Sequence, residues 1–331
     1  MITISELNLK LESNRKRLSA YLQGFGLKEE PLDRMYILLE EDGEWVGCGG
    51  KSCNILKCFA IEDSRRNEGL LDLLMTSLIT DSYNEGFESL FIYTKSEYAS
   101  MFKSYGFVEI IDTKTIALLQ RGPATIERVL KDMEGSINDQ ESVGAIVLNA
   151  NPFTLGHRYL IEMSSILVDK LLVFVVENDV SRFSFKDRFK LVQSQVDDLH
   201  HVIVLPSSEY IISNATFPSY FLKESSLADT EHAILDAMIF KKYFVPWFHI
   251  SKRFLGEEPL DKSTNLYNET LMKTLPPECE VVVIPRKLIG DSFISASIVR
   301  KELDAGNFDA IKDLVPEGTF RYLKENYGKH S

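Results

Sequence analysis

Five short apolar runs rich in β-branched residues recur through the second half of the chain: GAIVLNA at 144–150, LLVFVV at 171–176, HVIVL at 201–205, HISKRFL at 249–255 and EVVVIP at 280–285. Runs of this length, bounded by polar turns, predict buried strands. Between them the apolar period lengthens. Leu160, Met163, Leu167 and Val168 share one helical face, as do Phe189, Val192 and Val196. Such alternation predicts a doubly wound parallel sheet covered by helices, with ligands bound beyond the carboxyl ends of the strands at a switch point.

The first half is patterned differently. Strand-like YILLE (36–40), GEWVGCGG and NILKCFAIE precede a helical run, LLDLLMTSLITDSYNEG. A strand SLFIYT (89–94) and a short helix precede YGFVEI (105–110). This predicts a mixed α/β domain with an antiparallel component. The polar stretch DMEGSINDQES at 132–142, with Gly135 and Ser136, separates the two patterns and sets expected domains at 1–135 and 143–331.

Length and composition agree with two folded domains. The chain has 331 residues, 44% hydrophobic and 26% charged, which excludes a chain too polar to collapse. A formal charge of −12 opposes general binding to nucleic acid, where uncompensated Lys and Arg gather on one face. Cys48, Cys53 and Cys58 stand apart with no histidine among them, and Cys279 stands alone, a pattern of reduced structural thiols rather than a metal site. The start, MITISELNLK, lacks a basic region followed by a long apolar stretch, and no segment reaches membrane-spanning length, so a cytoplasmic protein without a membrane partner is expected.

Candidate chemistry begins where GAIVLNA runs into NPFTLGHRYLIE, placing Thr154, Gly156 and His157 at the opening of a helix. The first N–H groups of a helix lack internal partners and carry partial positive charge, so an anion is favoured there. Gly156 allows close backbone approach, and Thr154 and His157 can donate to the same phosphate oxygens. A plain strand-to-helix turn at Asn151 and Pro152, with Thr154 as its cap, is the other reading of this segment alone. Near the other end FISASIVRKEL (293–303) opens a second helix, with Ser295 a natural N-cap and Ser297 and Arg300 three residues apart on one face.

Together the two segments resemble the paired signatures of the HxGH nucleotidylyltransferase superfamily. NPFTLGH is similar to the first, with Thr154 where many members carry the first histidine, and ISASIVR is similar to the ISSTxxR motif. Longer strings, LNANPFTLGHRYLIE, FVVENDVSRFSFKDRFKLV, SSEYIISNATFPSYFLK, RFLGEEP and FISASIVR, resemble the citrate lyase ligase family. That resemblance implies a GNAT-acetyltransferase-like module ahead of a Rossmann-like nucleotidyl-transfer domain. In the module, RNEGLL would be the acetyl-CoA signature and YGFVEI the terminal strand; Arg66 and Gly69 agree with the signature's pattern and Leu71 departs from it. A module that holds the thiol-bearing partner, or is mainly structural, is therefore the expectation.

The resemblance also implies the reaction. ATP and acetate give an acetyl-adenylate and pyrophosphate; the dephospho-CoA-derived prosthetic-group thiol of the citrate lyase acyl carrier protein then takes the acetyl group and releases AMP. Thr154 and His157 are assigned to the α- and β-phosphates, and Ser295, Ser297 and Arg300 to the leaving pyrophosphate. Asn149, Asn151, Pro152, Phe153 and Gly156 supply the surrounding loop, and Mg²⁺ bridges phosphates rather than occupying a protein cage. Arg188 occupies the recurrent arginine position of the superfamily's second helix; Lys186, Arg286 and Lys287 are further cations near strand ends, and Asn214 and Thr216 are substrate candidates on family grounds. Three other readings stay open: an adenylyltransferase acting on a phosphate-bearing cofactor precursor, a carrier-protein-binding module that holds nucleotide without turnover, and acetyl transfer to an amine by the N-terminal module.

Overall fold

The computed structural model describes residues 2–133, 141–177, 181–211, 217–222, 225–259, 261–289 and 292–328. Most of the expected boundary stretch, together with Asn214 and Thr216, lies outside the described residues. The chain forms two compact units: Met1–Thr125 with Pro218–Glu231, and Ile126–Phe217 with His232–Ser331. Its strands are β1 (Thr3–Glu6), β2 (Arg34–Leu39), β3 (Trp45–Ser52), β4 (Ile55–Ile61), β5 (Leu90–Lys95), β6 (Val108–Asp112), β7 (Ile116–Arg121), β8 (Val143–Leu148), β9 (Lys170–Val175), β10 (Val202–Pro206), β11 (Ile250–Gly256), β12 (Glu280–Ile284), β13 (Leu288–Ile289) and β14 (Ser292–Phe293). The helices are α1 (Glu12–Gly24), α2 (Leu70–Asn84), α3 (Ala99–Lys103), α4 (Ile126–Asp132), α5 (Leu155–Ser165), α6 (Phe185–Ser194), α7 (Ser225–Ile239), α8 (Val245–Trp247), α9 (Lys262–Thr274), α10 (Ala296–Asp304), α11 (Phe308–Ile311) and α12 (Glu317–Tyr327).

The first unit is a mixed sheet in the order β1-β2-β3-β4-β5-β7-β6. All neighbours are antiparallel except β4 and β5, whose parallel register is limited to Ile55↔Phe91 and Leu56↔Ile92. Helix α2 covers the sheet because Leu70, Leu74, Met75, Leu78 and Ser82 recur at helical spacing and are all buried. YGFVEI is not the terminal strand. Beyond the turn at Lys114 (φ 79°), the buried run Ile116–Leu119 of β7 inserts between β5 and β6.

Residues 218–231 join this unit although they follow the second sheet's first three strands in sequence. The Lys28 N–H donates to the Tyr220 carbonyl at 2.7 Å, and Glu30 accepts from the Ser219 N–H. Cys48 and Cys58, on β3 and β4, are buried; desolvation pushes the Cys58 thiol up to about 12 and the Cys48 thiol up as well. Cys279 packs in the second unit, its thiol raised by burial to about 11, whereas Cys53 is exposed.

The second unit is a parallel sheet in the order β10-β9-β8-β11-β12. From β8 the chain builds outward through β9 and β10, then crosses back to add β11 and β12 on the opposite side. The switch point is therefore the crevice beyond the carboxyl ends of β8 and β11. Phe153, Ile161, Val173, Val192 and Phe254 centre the core, with Leu160, Met163 and Phe189 packed against it. Leu167, expected on the buried face, is 45% exposed, because α5 ends at Ser165 before reaching it.

Candidate active site

The loop Asn149–Thr154 leaves β8 at the switch point and turns directly into α5. Thr154 is the N-cap, with its hydroxyl accepting from the His157 N–H at 3.3 Å. In return the Thr154 N–H donates to His157 Nδ1 at 3.0 Å, and the Thr154 hydroxyl lies 2.9 Å from the same nitrogen. This reciprocal cap settles the tautomer. Nδ1 is an acceptor, so the neutral ring carries its proton on Nε2 and offers it as a donor. Loss of hydration, with a smaller contribution from the Arg286 charge, lowers the His157 pKa to about 4. The imidazole is accordingly neutral near pH 7. Phe153, fully buried, stacks on it at 5.6 Å and 22°.

Thr154 thus holds His157 from behind, its hydroxyl oxygen accepting the cap bond and its backbone N–H orienting the ring. Backbone donors divide similarly. Of the first three N–H groups of α5, that of Leu155 goes to the Leu314 carbonyl at 2.9 Å and that of His157 to Thr154. Among the described residues, the N–H of Gly156 keeps no acceptor. An added Cβ at Gly156 would meet Thr154 Oγ1 at 3.5 Å and Ile294 at 3.6 Å, ordinary contact distances.

The second signature is drawn to the first. Ser295 caps α10 by accepting from the Ser297 N–H at 3.2 Å, and the two hydroxyls lie 2.6 Å apart. Arg300 Nη1 donates to the Asn151 carbonyl at 2.6 Å, tying α10 to the loop after β8. A cleft of about 500 Å³ opens beside these helix starts. Asn149, Thr154, Gly156, His157 and Ser295 border it, together with Arg286 and Lys287 after β12. Arg286 is fixed by Glu258 Oε1 at 2.6 Å and by the Ile294 carbonyl at 3.2 Å. Lys287 lies over the Tyr159 ring at 5.6 Å.

Other expected ligands stand elsewhere. Arg188 is 1% exposed and spends its guanidinium on the Phe183, Asn149 and Val176 carbonyls at 3.1, 2.6 and 2.8 Å, and on Asn149 Oδ1 at 3.0 Å. It clamps the ends of β8 and β9 and does not border the cleft, because those carbonyls have left the sheet ladder and need donors. Pro152 is buried behind the loop, Ser297 is exposed at the first turn of α10, and Lys186 is exposed on α6.

The citrate lyase ligase C-terminal domain matches residues 143–323. Over 327 residues the chain is 36% identical to the citrate (pro-3S)-lyase ligase of Haemophilus influenzae, covering 96% of this chain and 98% of that one. Identity to the corresponding ligase of Escherichia coli K12 is 37% over 332 residues, 98% of this chain and 94% of that one. The chain belongs to the citrate lyase ligase family. A solved GNAT-family acetyltransferase of Staphylococcus aureus Mu50 is 14% identical over 37% of this chain and 99% of its own, with TM-score 0.31. The mixed-sheet assignment of the first unit rests on its strand order, not on that likeness.

In this family member the motifs alone left the far wall of the cleft unassigned. Arg253 on β11, Glu257 and Glu258 beyond it, His232 on α7, and Tyr267 and Asn268 on α9 all border the cavity. RFLGEEP was visible as a family string, but an arginine within an apolar strand was the signal that could have singled out Arg253. Away from the cleft, His201 places Nε2 3.1 Å from the Ser165 carbonyl.

Proposed function

We propose that this chain is an AMP-forming acid–thiol ligase that activates citrate lyase by acetylating the prosthetic-group thiol of its acyl carrier protein. The observation that carries this reading is the placement of two donors on one helix start that borders the cleft. The neutral Nε2–H of His157 and the N–H of Gly156, unpaired among the described residues, belong to one helix start beside the cleft, against which Arg300 anchors the second signature.

In the first step an acetate oxygen attacks the α-phosphorus, the bond from that phosphorus to the bridging oxygen breaks, and pyrophosphate leaves. Acetate is already ionised, so positioning and charge neutralisation supply the catalysis. His157 and the α5 start would face the α- and β-phosphates; α10, Arg286 and Lys287 would face the departing pyrophosphate. In the second step the carrier thiol, losing its proton to solvent, attacks the acetyl carbon and AMP leaves with the shared electron pair. Glu258 is engaged with Arg286, so a Mg²⁺ ion, whose role is to neutralise phosphate charge, would be held chiefly by the phosphates with Glu257 as the adjoining carboxylate.

Acetate-dependent exchange of labelled pyrophosphate into ATP tests the first half-reaction, and release of AMP only with a thiol acceptor tests the second. No exchange with acetate, propionate or citrate overturns the reading; AMP retained in the product points instead to an adenylyltransferase.

A further inference from the structure

We propose that Arg253, on the floor of the cleft, binds the carboxylate of the acyl substrate. The inference rests on the ligase reading above for the identity of that substrate, but its geometry stands apart from the ATP signatures.

Arg253 is 2% exposed and borders the cleft, and among the described residues neither its Nε nor its Nη1 has a hydrogen-bond partner. Arg188, on α6 of the same unit, provides the contrast: equally buried, it donates from all three of its nitrogens. A buried cation with idle donors is destabilising unless something completes it, and a carboxylate does so with charge-assisted hydrogen bonds. The surroundings hold the guanidinium in place. It lies 4.7 Å over the Phe240 ring, and the neighbouring Tyr267 hydroxyl donates to Asp236 at 2.6 Å. Burial, followed by the Asp236 charge, raises the Tyr267 pKa, so the phenol stays protonated. His232 stacks on Tyr267 at 6.2 Å.

Depth and wall chemistry select the ligand. Arg253 lies three residues before Gly256, where β11 ends, which is about 10 Å back from the strand terminus at sheet spacing. The helix starts and the cations Arg286 and Lys287 gather at the strand ends, where a triphosphate fits. Phe254, His232, Tyr267 and Ile211 line the cleft along with Arg253. A small anion with an apolar tail matches this floor, and its second oxygen can face the α-phosphorus.

The test uses the full chain carrying Arg253→Gln, Arg253→Lys or Tyr267→Phe, with folding checked by thermal melting. Arg253→Gln is expected to raise the acetate KM in pyrophosphate exchange at least about tenfold, with the ATP KM within about twofold, and Arg253→Lys to fall between it and the parent. Tyr267→Phe, which loosens the positioning of Arg253, is expected to raise the acetate KM by about threefold. Saturation-transfer NMR reads acetate binding without turnover, and the Arg253→Gln variant is expected to lose the signal.

A raised ATP KM with unchanged acetate KM, or a parent-like acetate signal in folded Arg253→Gln, overturns the site. So does the absence of any acetate signal from the parent protein. Acetate binding that depends on Arg253, without exchange, preserves the site and sinks the ligase reading instead. Should the arginine variants fail to fold, a crystal structure of the parent with acetate and a non-hydrolysable ATP analogue decides: carboxylate density on Arg253 supports the proposal, and density elsewhere overturns it.

Discussion

Two glycines stand at the starts of two helices that follow strands, Gly69 before α2 and Gly156 within the first turn of α5, and they are there for different reasons. Gly69 has φ +73°, a left-handed conformation that disfavours any side chain, and an added Cβ would lie 3.3 Å from Asp72 Oδ2. Its own backbone explains it. Gly156 has no positive φ, and a Cβ there meets only ordinary contacts. Nothing among the described residues demands glycine at that position; on the proposed reading, the missing side chain leaves room for a phosphate at the helix start. The neighbours agree: around Gly69, Arg66 pairs with Asp63 at 2.7 Å on the surface and Leu71 packs into the core, whereas around Gly156 a neutral imidazole and a free N–H border the cleft.

The largest effects should therefore fall on one side of this comparison. His157→Ala is expected to slow pyrophosphate exchange by at least about a hundredfold, the scale of losing an electrostatic donor at a charged transition state. Arg300→Ala, which also releases the Asn151 carbonyl, should lower turnover by a similar factor, about a hundredfold. Gly69→Ala should leave exchange within about twofold while lowering stability by about 1 kcal/mol in denaturant melts. Equal loss of exchange in the Gly69 variant would break the contrast and bring the first unit into the adenylation step.

Gly156→Ala sharpens the same contrast with a smaller effect of unusual sign. Alanine is the better helix former by about 1 kcal/mol, so the variant should melt no lower than the parent. Its ATP KM should nevertheless rise about tenfold, because the methyl group occupies space that a phosphate oxygen approaches. A variant with unchanged KM would mean that no ligand comes close to this backbone.

The contrast also marks what the sequence could disclose. Four of the five parallel strands were legible as nearly continuous apolar runs and β11 by its flanking apolar residues, and the starts of α5 and α10 because their N-caps are local chemistry. Less local features were hidden. Strand β7 lies between β5 and β6 although it follows both, and residues 218–231 pack with the first unit by hydrogen bonds to Lys28 and Glu30 far away in sequence. Motif position put Arg188 at the nucleotide; only the three carbonyls it reaches reveal a clamp. Arg253 was missed for the converse reason, since its significance lies in partners it lacks. Thr154 was assigned a phosphate because a hydroxyl at a helix start can donate; its second task, orienting the imidazole three residues on through its own N–H, shows only in the folded loop.

The smallest expected effect concerns pH. An unfolded histidine titrates near 6.5 and folded His157 near 4, so between these values the unfolded chain binds the extra proton. The contribution of His157 to stability is therefore fully present above about 6.5 and is lost as the pH falls toward about 4. Replacing it with a residue that does not titrate, as in His157→Gln, should remove that part of the slope, so the parent's melting temperature should drop by about 2 °C more than the variant's between pH 7 and pH 5. At the other helix start, Gly69→Ala should shift melting equally at both pH values, because the substitution adds backbone strain and no titrating group. A His157→Gln slope as steep as the parent's would mean that the ring is hydrated enough to keep an ordinary pKa, and the argument for a neutral Nε2–H donor would fail with it.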